Sequence, residues 1–318
     1  MTPTVSVTIC CYNGEKYISS TLQSVFSQTY KNWEIVLIND GSTDSTEKII
    51  QEYIRQGFPI TYYYQPNSGL GAARNKSVEL ARGQFIAILD QDDIWYPTKL
   101  EKQVPLIENC IEVGFIYSDS DIIDENDNIK SYGTMIGEFY EGNVFIPMLK
   151  HEFFPSWPTV IIRKELIHNV GGFRNYSGAE DFDLLLKISF DSSVLVVKNS
   201  LAAYRIHKKQ LSTDRYKFLS EFLSIYDYWE NHSKFLAHDK LQIISANRLK
   251  QYNISAISAF EVMDDKVELR LYLVQFFKIT ISAKIFLLWS LTWFKLTWMQ
   301  KSLRLVKRVY FNLKSSLS

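Results

Sequence analysis

The sequence predicts an α/β fold: a mostly parallel central sheet with helices on both faces, followed by a C-terminal helical extension. Three observations lead to this prediction. Short apolar runs alternate with amphipathic segments over residues 5–95, as in strand–helix–strand units. The runs end at turns rich in Asn, Asp or Gly. From about Asp214 the hydrophobic spacing becomes helical throughout.

The first part of the chain contains four predicted strands and three predicted helices. The strands are Val5–Ile9, Trp33–Ile38, Ile60–Tyr64 and Phe85–Leu89. The first helix places Ile18, Leu22, Val25 and Phe26 on one face; the second includes Ile49, Ile50 and Tyr53; the third spans Leu70–Ala81. Asp44 and Glu47 have capping-box spacing, which predicts that Asp44 caps the second helix.

The middle of the chain, roughly Tyr96–Leu211, is less regular. Its predicted strands are Gly114–Tyr117, Thr159–Ile162 and Val194–Val197, and Asp181–Ser189 is a predicted helix. Beyond it, a helical face comprises Phe218, Phe222, Ile225, Tyr226 and Trp229. We therefore predict a first domain over residues 1–213, divided into halves 1–95 and 96–213, and a helical region over residues 214–318.

Composition excludes some classes of protein. The 318 residues carry no net charge, which gives no reason to expect nucleic acid as a partner. Three cysteines without framework spacing favour a reducing compartment. The N-terminus lacks the pattern of a signal peptide, so we expect a cytoplasmic location.

The C-terminal segment has a composition suited to a membrane surface. Ile285–Phe294 is apolar but far shorter than the roughly 20 residues that span a bilayer. From Phe294 onward there is no acidic residue, and the basic residues are Lys295, Lys301, Arg304, Lys307, Arg308 and Lys314. With Trp289, Trp293 and Trp298 nearby, we expect peripheral contact with an anionic membrane face. The alternatives are packing on the first domain or a homodimer.

Polar clusters follow three of the predicted strands. They are Tyr12-Asn13, Asn39-Asp40 and Asp90-Gln91-Asp92-Asp93. In open α/β sheets ligands bind at the carboxyl ends of the strands, so these clusters predict a shared site. Three carboxylates within residues 90–93 repel one another, and Mg²⁺ or Mn²⁺ would relieve that repulsion while sharing phosphate oxygens of a substrate. The alternative is a solvated acidic turn that caps a helix beginning near Pro97.

Two further segments suggest contacts with a nucleotide. Asp40 could accept hydrogen bonds from a base or ribose, or could form an Asx turn with Gly41. Gly69–Asn75 opens a helix where glycines allow close approach of a ligand and Arg74 could reach a phosphate. The third glycine of a dinucleotide fingerprint is absent, which argues against a nicotinamide enzyme.

Asp181 and His207 each have a catalytic and a structural interpretation. Asp181, next to Glu180, could take a proton as a general base, or could be the N-cap of the helix that follows. His207 could bind a metal or phosphate, or could be an ordinary polar residue.

Taken together, these segments resemble the family 2 inverting glycosyltransferases of the GT-A fold. Their order supports this resemblance: Val5–Asn13, Asn39–Asp44, Gly69–Asn75, Asp90–Asp93, Gly171-Gly172-Phe173, Glu180-Asp181 and Tyr204–His207. The chain departs from the family at Cys10 and Cys11, where proline and a small hydroxyl residue are usual.

The resemblance implies a role for each matched residue. Tyr12 and Asp40 would hold the base, Arg74 would lie near the diphosphate, and Asp90 would approach the ribose or the metal. Asp92 would bind Mn²⁺ or Mg²⁺, with His207 close by. Asp181 would be the catalytic base, with Glu180 beside it.

The implied reaction is transfer from a nucleotide sugar, by default a UDP-sugar, to a saccharide or lipid-linked saccharide in surface-polysaccharide synthesis. Residues 1–95 would bind the donor, and residues 96–213 would bind the acceptor. Two alternatives stay open: a nucleotidyltransferase acting on sugar phosphates, and a non-catalytic carbohydrate-binding or membrane-binding protein on the same fold. The acidic Tyr12–Glu15 turn argues against the first, since a nucleotidyltransferase typically has basic residues there.

Overall fold

Nine strands of the described chain form one mixed sheet. The computed structural model describes residues 2–134, 138–176, 178–207, 215–231 and 243–244. The strands are β1 (Val5–Cys11), β2 (Trp33–Asp40), β3 (Ile60–Gln65), β4 (Phe85–Ile88), β5 (Ile94–Trp95), β6 (Val113–Ile123), β7 (Ile129–Ser131), β8 (Ile161–Arg163) and β9 (Ser193–Arg205). Their order is β3-β2-β1-β4-β8-β6-β9-β5, with β7 paired to β6.

The helices lie between these strands. They are α1 (Ile18–Phe26), α2 (Thr46–Arg55), α3 (Leu70–Leu80), α4 (Lys99–Glu108), α5 (Phe145–Leu149), α6 (Lys164–Asn169), α7 (Glu180–Asp191) and α8 (Arg215–Asn231). A short 3-10 helix covers Trp157–Thr159. The described part thus confirms the predicted α/β fold.

Strands β3, β2, β1 and β4 are mutually parallel. Nearly every residue of β1 is buried. Since successive side chains of a strand point to opposite faces, both faces of β1 are covered. Val5, Val7 and Ile9 pack in the main apolar core with residues of α1, α2 and α4. The thiol of Cys10, on the other face, is hydrogen-bonded to the side chain of Ser77 in α3. The sheet is therefore covered on both sides, as the sequence predicts.

The second half of the sheet adds antiparallel neighbours. β8 is antiparallel to both β4 and β6, so β6 runs in the same direction as β4, and β9 is parallel to β6. The carboxyl ends of β1, β2, β4, β6 and β9 therefore meet at one edge. This topology brings residues near position 92 close to residues near position 207.

Two local predictions differ from the structure. The predicted capping box is not formed, because α2 begins at Thr46 with Ser45 at the N-cap, but the Asp44 carboxylate still accepts the N–H of Thr46, the first residue of the helix, at 3.0 Å. Thr159 is not in a strand: the Trp157–Thr159 turn precedes β8, and Pro158 disfavours a strand at that point.

The described residues up to Glu221 form one compact unit, and those from Phe222 belong to a second. The predicted boundary at residues 213 and 214 lies outside the described residues. Residues 215–231 are helical, as predicted from about Asp214, and Ile225, Tyr226 and Trp229 are buried. The basic and aromatic segment from Ile285 onward also lies outside them. Within the described parts of the chain, no helix is long and apolar enough to cross a membrane.

Candidate active site

Gln91 joins the loop after β1 to the loop after β4. Its Oε1 accepts a hydrogen bond from the backbone N–H of Tyr12 at 3.0 Å, and its Nε2 donates to the carbonyl of Tyr12 at 3.1 Å. A Cβ on Gly14 would overlap Oε1 of Gln91, so a larger residue there would displace the Gln91 side chain from Tyr12. Tyr12 is 49% exposed, so its ring is available at the edge where the strands end.

Asp40 at the end of β2 organises the connection to α3. One carboxylate oxygen accepts from Gln65 Nε2 at 2.7 Å and from the N–H of Ser68 at 2.9 Å; the other accepts from the N–H of Gly69 at 3.0 Å. The Asx contact in this region belongs instead to Asn39, whose Oδ1 accepts from the N–H of Ser42. Asp40 therefore shapes the rim of the site through the segment before α3.

The glycines at the start of α3 meet protein rather than open space. A Cβ on Gly71 would overlap the carbonyl oxygen of Arg174, and one on Gly69 would lie 2.8 Å from Oδ1 of Asn175. Asn75 fastens the same loop, because its side chain exchanges hydrogen bonds of 2.7 and 2.8 Å with the backbone of Phe173. The close approach predicted for a ligand is thus made by the loop before α7.

The three carboxylates after β4 point to different partners. Asp90 accepts from Arg74 Nη2 at 2.9 Å, and Asp92 pairs with His207 Nε2 at 2.8 Å. Asp93 is buried and accepts the backbone N–H of Arg205 at 2.8 Å. Repulsion among the three is therefore eased by separate partners. The helix-capping alternative is wrong, because β5 intervenes and α4 begins at Lys99.

Burial strengthens the electrostatic coupling among these acids. It raises the pKa of Asp92, and the nearby charge of Asp90 raises it further, while His207 opposes the shift. Burial likewise raises the pKa of Asp93 well above its usual range, with Asp92 and Asp90 adding to the effect. A cation near Asp92 would lower the cost of ionising both groups.

Asp92 and His207 fit the chemistry of a divalent metal site that is completed by substrate. One carboxylate and one imidazole converge with 20% and 11% of their side chains exposed. No group of three or more potential protein ligands occurs among the described residues. Mg²⁺ and Mn²⁺ sites commonly use one or two protein groups and take phosphate or water oxygens for the rest.

Arg205 supports this pair, a role that the sequence analysis missed. Its Nε donates to the carbonyl of Asp92 at 2.6 Å, and Nη1 donates to the carbonyl of Asp124 at 3.0 Å and forms an ion pair with Asp127. The guanidinium lies 4.6 Å from the ring centroid of Tyr17, which in turn packs 5.0 Å from the His207 ring. The only sequence signal was its place in the Tyr204–His207 segment.

Asp181 lies in the first turn of α7, not at its N-cap. The helix begins at Glu180 and the capping position is Ala179, so the N-cap interpretation is wrong. Oδ1 of Asp181 accepts the N–H of Phe182 at 2.6 Å. Burial and the adjacent Glu180 raise the pKa of Asp181 to about 8, and Arg74 partly opposes this shift. Such a carboxylate is a stronger base than an ordinary aspartate.

Arg74 connects Glu180, which precedes the predicted general base Asp181, to Asp90 at the end of β4. Its guanidinium forms ion pairs with Glu180 and, at 2.9 Å, with Asp90, and its side chain is only 4% exposed. Burial raises the pKa of Glu180, and Arg74 partly offsets this rise.

The structure brings together most of the predicted site residues. Asp90, Arg74, Glu180 and Asp181 form one group. Asp92, two positions after Asp90, contacts His207. Tyr12 and Asp40 line the neighbouring loops.

The three cysteines lie on β1 and just after α4. None of the three, all within the described residues, forms a disulfide. Cys11 is buried, whereas Cys10 is partly exposed. Desolvation of the Cys10 thiol, which points into the protein, raises its pKa to about 12 and keeps it neutral near Arg74 and Asp90.

Sequence comparison identifies a family. The sequence model of glycosyl transferase family 2 matches residues 6–171, a range that includes Tyr12, Asp40 and the acids after β4. An uncharacterized glycosyltransferase of Methanocaldococcus jannaschii is 30% identical over 243 residues, covering 73% of this chain and 82% of the relative. A Bacillus subtilis protein named for a proposed role as a teichuronic acid biosynthesis glycosyltransferase is 44% identical over 103 residues, covering 32% and 41%.

Solved structures share the fold. Staphylococcus aureus TarS in complex with UDP-GlcNAc matches with a TM-score of 0.67 at 20% identity, covering 86% of this chain and 80% of that one. A mannosyltransferase from Pyrobaculum calidifontis in complex with GDP-Man and Mn²⁺ matches with a TM-score of 0.59 at 16% identity, covering 92% and 84%. The fold seen here is therefore the GT-A fold that the sequence resemblance implied.

Proposed function

Because this chain belongs to glycosyl transferase family 2 and is a glycosyltransferase, we propose that it moves a sugar from a nucleoside diphosphate sugar to a saccharide or lipid-linked saccharide. Uridine diphosphate is the favoured nucleotide. The observation that carries the proposal is the position of Asp181, a carboxylate of raised pKa tied through Glu180 and Arg74 to Asp90 at the end of β4.

In the proposed reaction Asp181 is the general base. It accepts the proton of an acceptor hydroxyl, whose oxygen forms a bond to the anomeric carbon as the bond to the diphosphate oxygen breaks. The electron pair of that bond leaves with the nucleoside diphosphate, and the anomeric configuration inverts. A base with a pKa near the working pH suits this proton transfer. Glu180, which is buried beside Asp181, keeps the pKa of the base raised.

The donor lies at the carboxyl edge of the parallel strands in this proposal. Tyr12, which is half exposed, packs against the nucleobase of the donor. Asp40 holds the Ser68-Gly69 segment that borders the nucleoside, and Asp90 approaches the ribose. Arg74 acts on the donor side through its ion pair with Asp90. The edge location agrees with the general rule for ligands of open α/β sheets.

Asp92 and His207 are the proposed protein ligands of Mn²⁺ or Mg²⁺. When bound there, the cation would offset the negative charge of the departing diphosphate. The pairing at 2.8 Å and the partial exposure of both side chains support the assignment. The Mn²⁺ named for the Pyrobaculum mannosyltransferase supports the choice of metal.

The names of relatives support the substrate classes. TarS was crystallised with UDP-GlcNAc, which favours a uridine nucleotide, and the Bacillus relative is named for teichuronic acid biosynthesis, which favours a cell-surface polysaccharide. From the composition of residues 285–318, we also propose peripheral contact with the cytoplasmic membrane face. Sedimentation with anionic liposomes tests this contact; a protein that stays in the supernatant and is dimeric by light scattering would favour the homodimer.

A donor screen with matched products tests the proposed function. The protein is incubated with UDP-, TDP- and GDP-sugars and Mn²⁺, and nucleoside diphosphate release is measured with and without saccharide acceptors. We expect release from one nucleotide class, stimulated by acceptor and lost in Asp181→Asn. Release of pyrophosphate from a nucleoside triphosphate and a sugar phosphate would instead identify a nucleotidyltransferase.

A further inference from the structure

Arg74 is enclosed by groups that fix the plane and direction of its guanidinium. Nη1 is bonded to Glu180 and Nη2 to Asp90. The guanidinium carbon lies 4.9 Å from the ring centroid of Trp157 and 5.8 Å from that of Phe173. With the side chain 4% exposed, little of this cation faces solvent or a bound ligand.

The two carboxylates that Arg74 joins come from different parts of the site. Asp90 follows β4 in the predicted donor half, and Glu180 opens α7 immediately before the proposed base. Oε2 of Glu180 is buried and has no hydrogen-bond partner among the described residues. The bond from Arg74 to the other oxygen therefore has a large influence on the orientation of this carboxylate.

We propose that Arg74 is a positioning residue that sets the distance and orientation between the donor-side carboxylate Asp90 and the Glu180-Asp181 pair. This inference rests on the proposed role of Asp181 as the base. It differs from direct contact of Arg74 with the diphosphate, because each terminal nitrogen bonds a carboxylate and the side chain is only 4% exposed. A forked guanidinium holds two carboxylates in fixed geometry, whereas a lysine ammonium lacks that geometry.

The two roles of Arg74 predict different kinetics. Loss of a direct contact with the diphosphate would weaken donor binding, so the Kd and KM for donor would rise. Loss of positioning would lower kcat, because the base no longer meets the acceptor hydroxyl in the right geometry, while donor binding is kept.

Arg74→Lys, Glu180→Gln and the double variant test the inference, with Arg163→Lys as control. Arg163 is also buried and lies 5.3 Å from the ring of Phe85, but it donates to the carbonyls of Ile107, Cys110 and Val113 away from the site. Turnover, donor Kd by calorimetry and Tm are measured for each full-length variant.

We expect Arg74→Lys and Glu180→Gln each to lower kcat about 10- to 100-fold with donor Kd within about 3-fold, and the double variant to fall little further. Arg163→Lys should lower Tm while kcat stays within about 2-fold. The inference is overturned if Arg74→Lys keeps wild-type kcat, or if it weakens donor binding about 10-fold with kcat retained.

The design separates this inference from the proposed function. If Asp181→Asn turns over like wild type, the assignment of the base fails, whatever Arg74 does. If Arg74→Lys does not fold, Glu180→Gln tests the same ion pair by changing the carboxylate partner of Arg74. A lowered kcat with unchanged donor Kd in that variant supports the inference, and an unchanged kcat overturns it.

Discussion

Nε2 of His207 lies 2.8 Å from Oδ2 of Asp92, although 115 positions separate them in the chain. The contact exists because β9 and β4 end at the same edge of the sheet. Arg205 stabilises it by donating to the carbonyl of Asp92 and packing on Tyr17. A carboxylate and an imidazole held together at this edge are the strongest indication of where a divalent cation would bind.

Asp92→Ala and His207→Ala should each reduce metal-dependent donor binding by about 10- to 100-fold, since each removes a proposed ligand. Calorimetry of nucleoside diphosphate binding with Mn²⁺ and with EDTA measures the effect, and electron paramagnetic resonance follows bound Mn²⁺ directly. His168→Ala, an exposed histidine on α6, is the control. Equal Mn²⁺ enhancement in all three variants would exclude these ligands.

Asp181→Asn should lower transfer about 10²- to 10⁴-fold, the range typical for loss of a general base. Donor affinity should change by less than about 3-fold, because only the proton acceptor is removed. Initial rates and donor Kd are measured in parallel. Asp191→Asn, at the exposed end of the same helix, should behave as wild type. Residual turnover near the wild-type rate would contradict the assignment.

The same substitution should stabilise the protein at alkaline pH. Burial raises the pKa of Asp181 above its unfolded value, so the folded state binds more protons between the two values and stability falls as pH rises through them. Asn cannot ionise, so Asp181→Asn should gain on the order of 5 kcal/mol in the free energy of unfolding at pH 8.5, at about 1.4 kcal/mol per pKa unit, and nothing at pH 3. Urea unfolding at both pH values measures the change in the free energy of unfolding. A less stable variant at pH 8.5 would argue against a raised pKa of Asp181 in the folded state.

The pH dependence of turnover should show the same raised pKa. A base must be deprotonated to act, and burial together with Glu180 raises the pKa of Asp181 to about 8. At saturating donor and metal, kcat should rise with pH between about 6 and 9. Removal of the negative neighbour by Glu180→Gln should move this limb to lower pH. A flat profile from about pH 5 upward would show that a group of ordinary acidity limits the rate.

Gly71→Ala should damage both stability and catalysis. The new Cβ would overlap the carbonyl of Arg174, so the loop that Asn75 holds at Phe173 must move, and α7 follows that loop. We expect a loss of about 1–3 kcal/mol and a lower kcat. Gly57→Ala adds strain at φ +88° but has no atom within 4 Å of the new Cβ. Chemical denaturation and initial rates should show that Gly57→Ala loses stability only; equal loss of kcat in both variants would contradict the role of the loop.

Several features were predictable from the sequence because they depend on local periodicity and strand ends. The apolar runs at Val5 and Trp33 predicted parallel strands, and the polar residues after them predicted the edge that carries the candidate site. The Asp181 region was predicted as a helix. Its two interpretations, base or cap, could not be separated without knowing the residue at which the helix begins, since a shift of one position changes the role of the carboxylate.

By itself the sequence determined the fold class, the order of the motifs and the identity of the chemical groups, because these follow from residue type and spacing. Only the tertiary structure decided which groups meet. In the structure Asp93 accepts the backbone N–H of Arg205. The loop before α7 packs against Gly71, where a ligand had been expected. Arg74 is enclosed between Asp90 and Glu180. The physical reason is that ion pairs and close packing depend on distances set by strand order and loop approach, which no local pattern encodes.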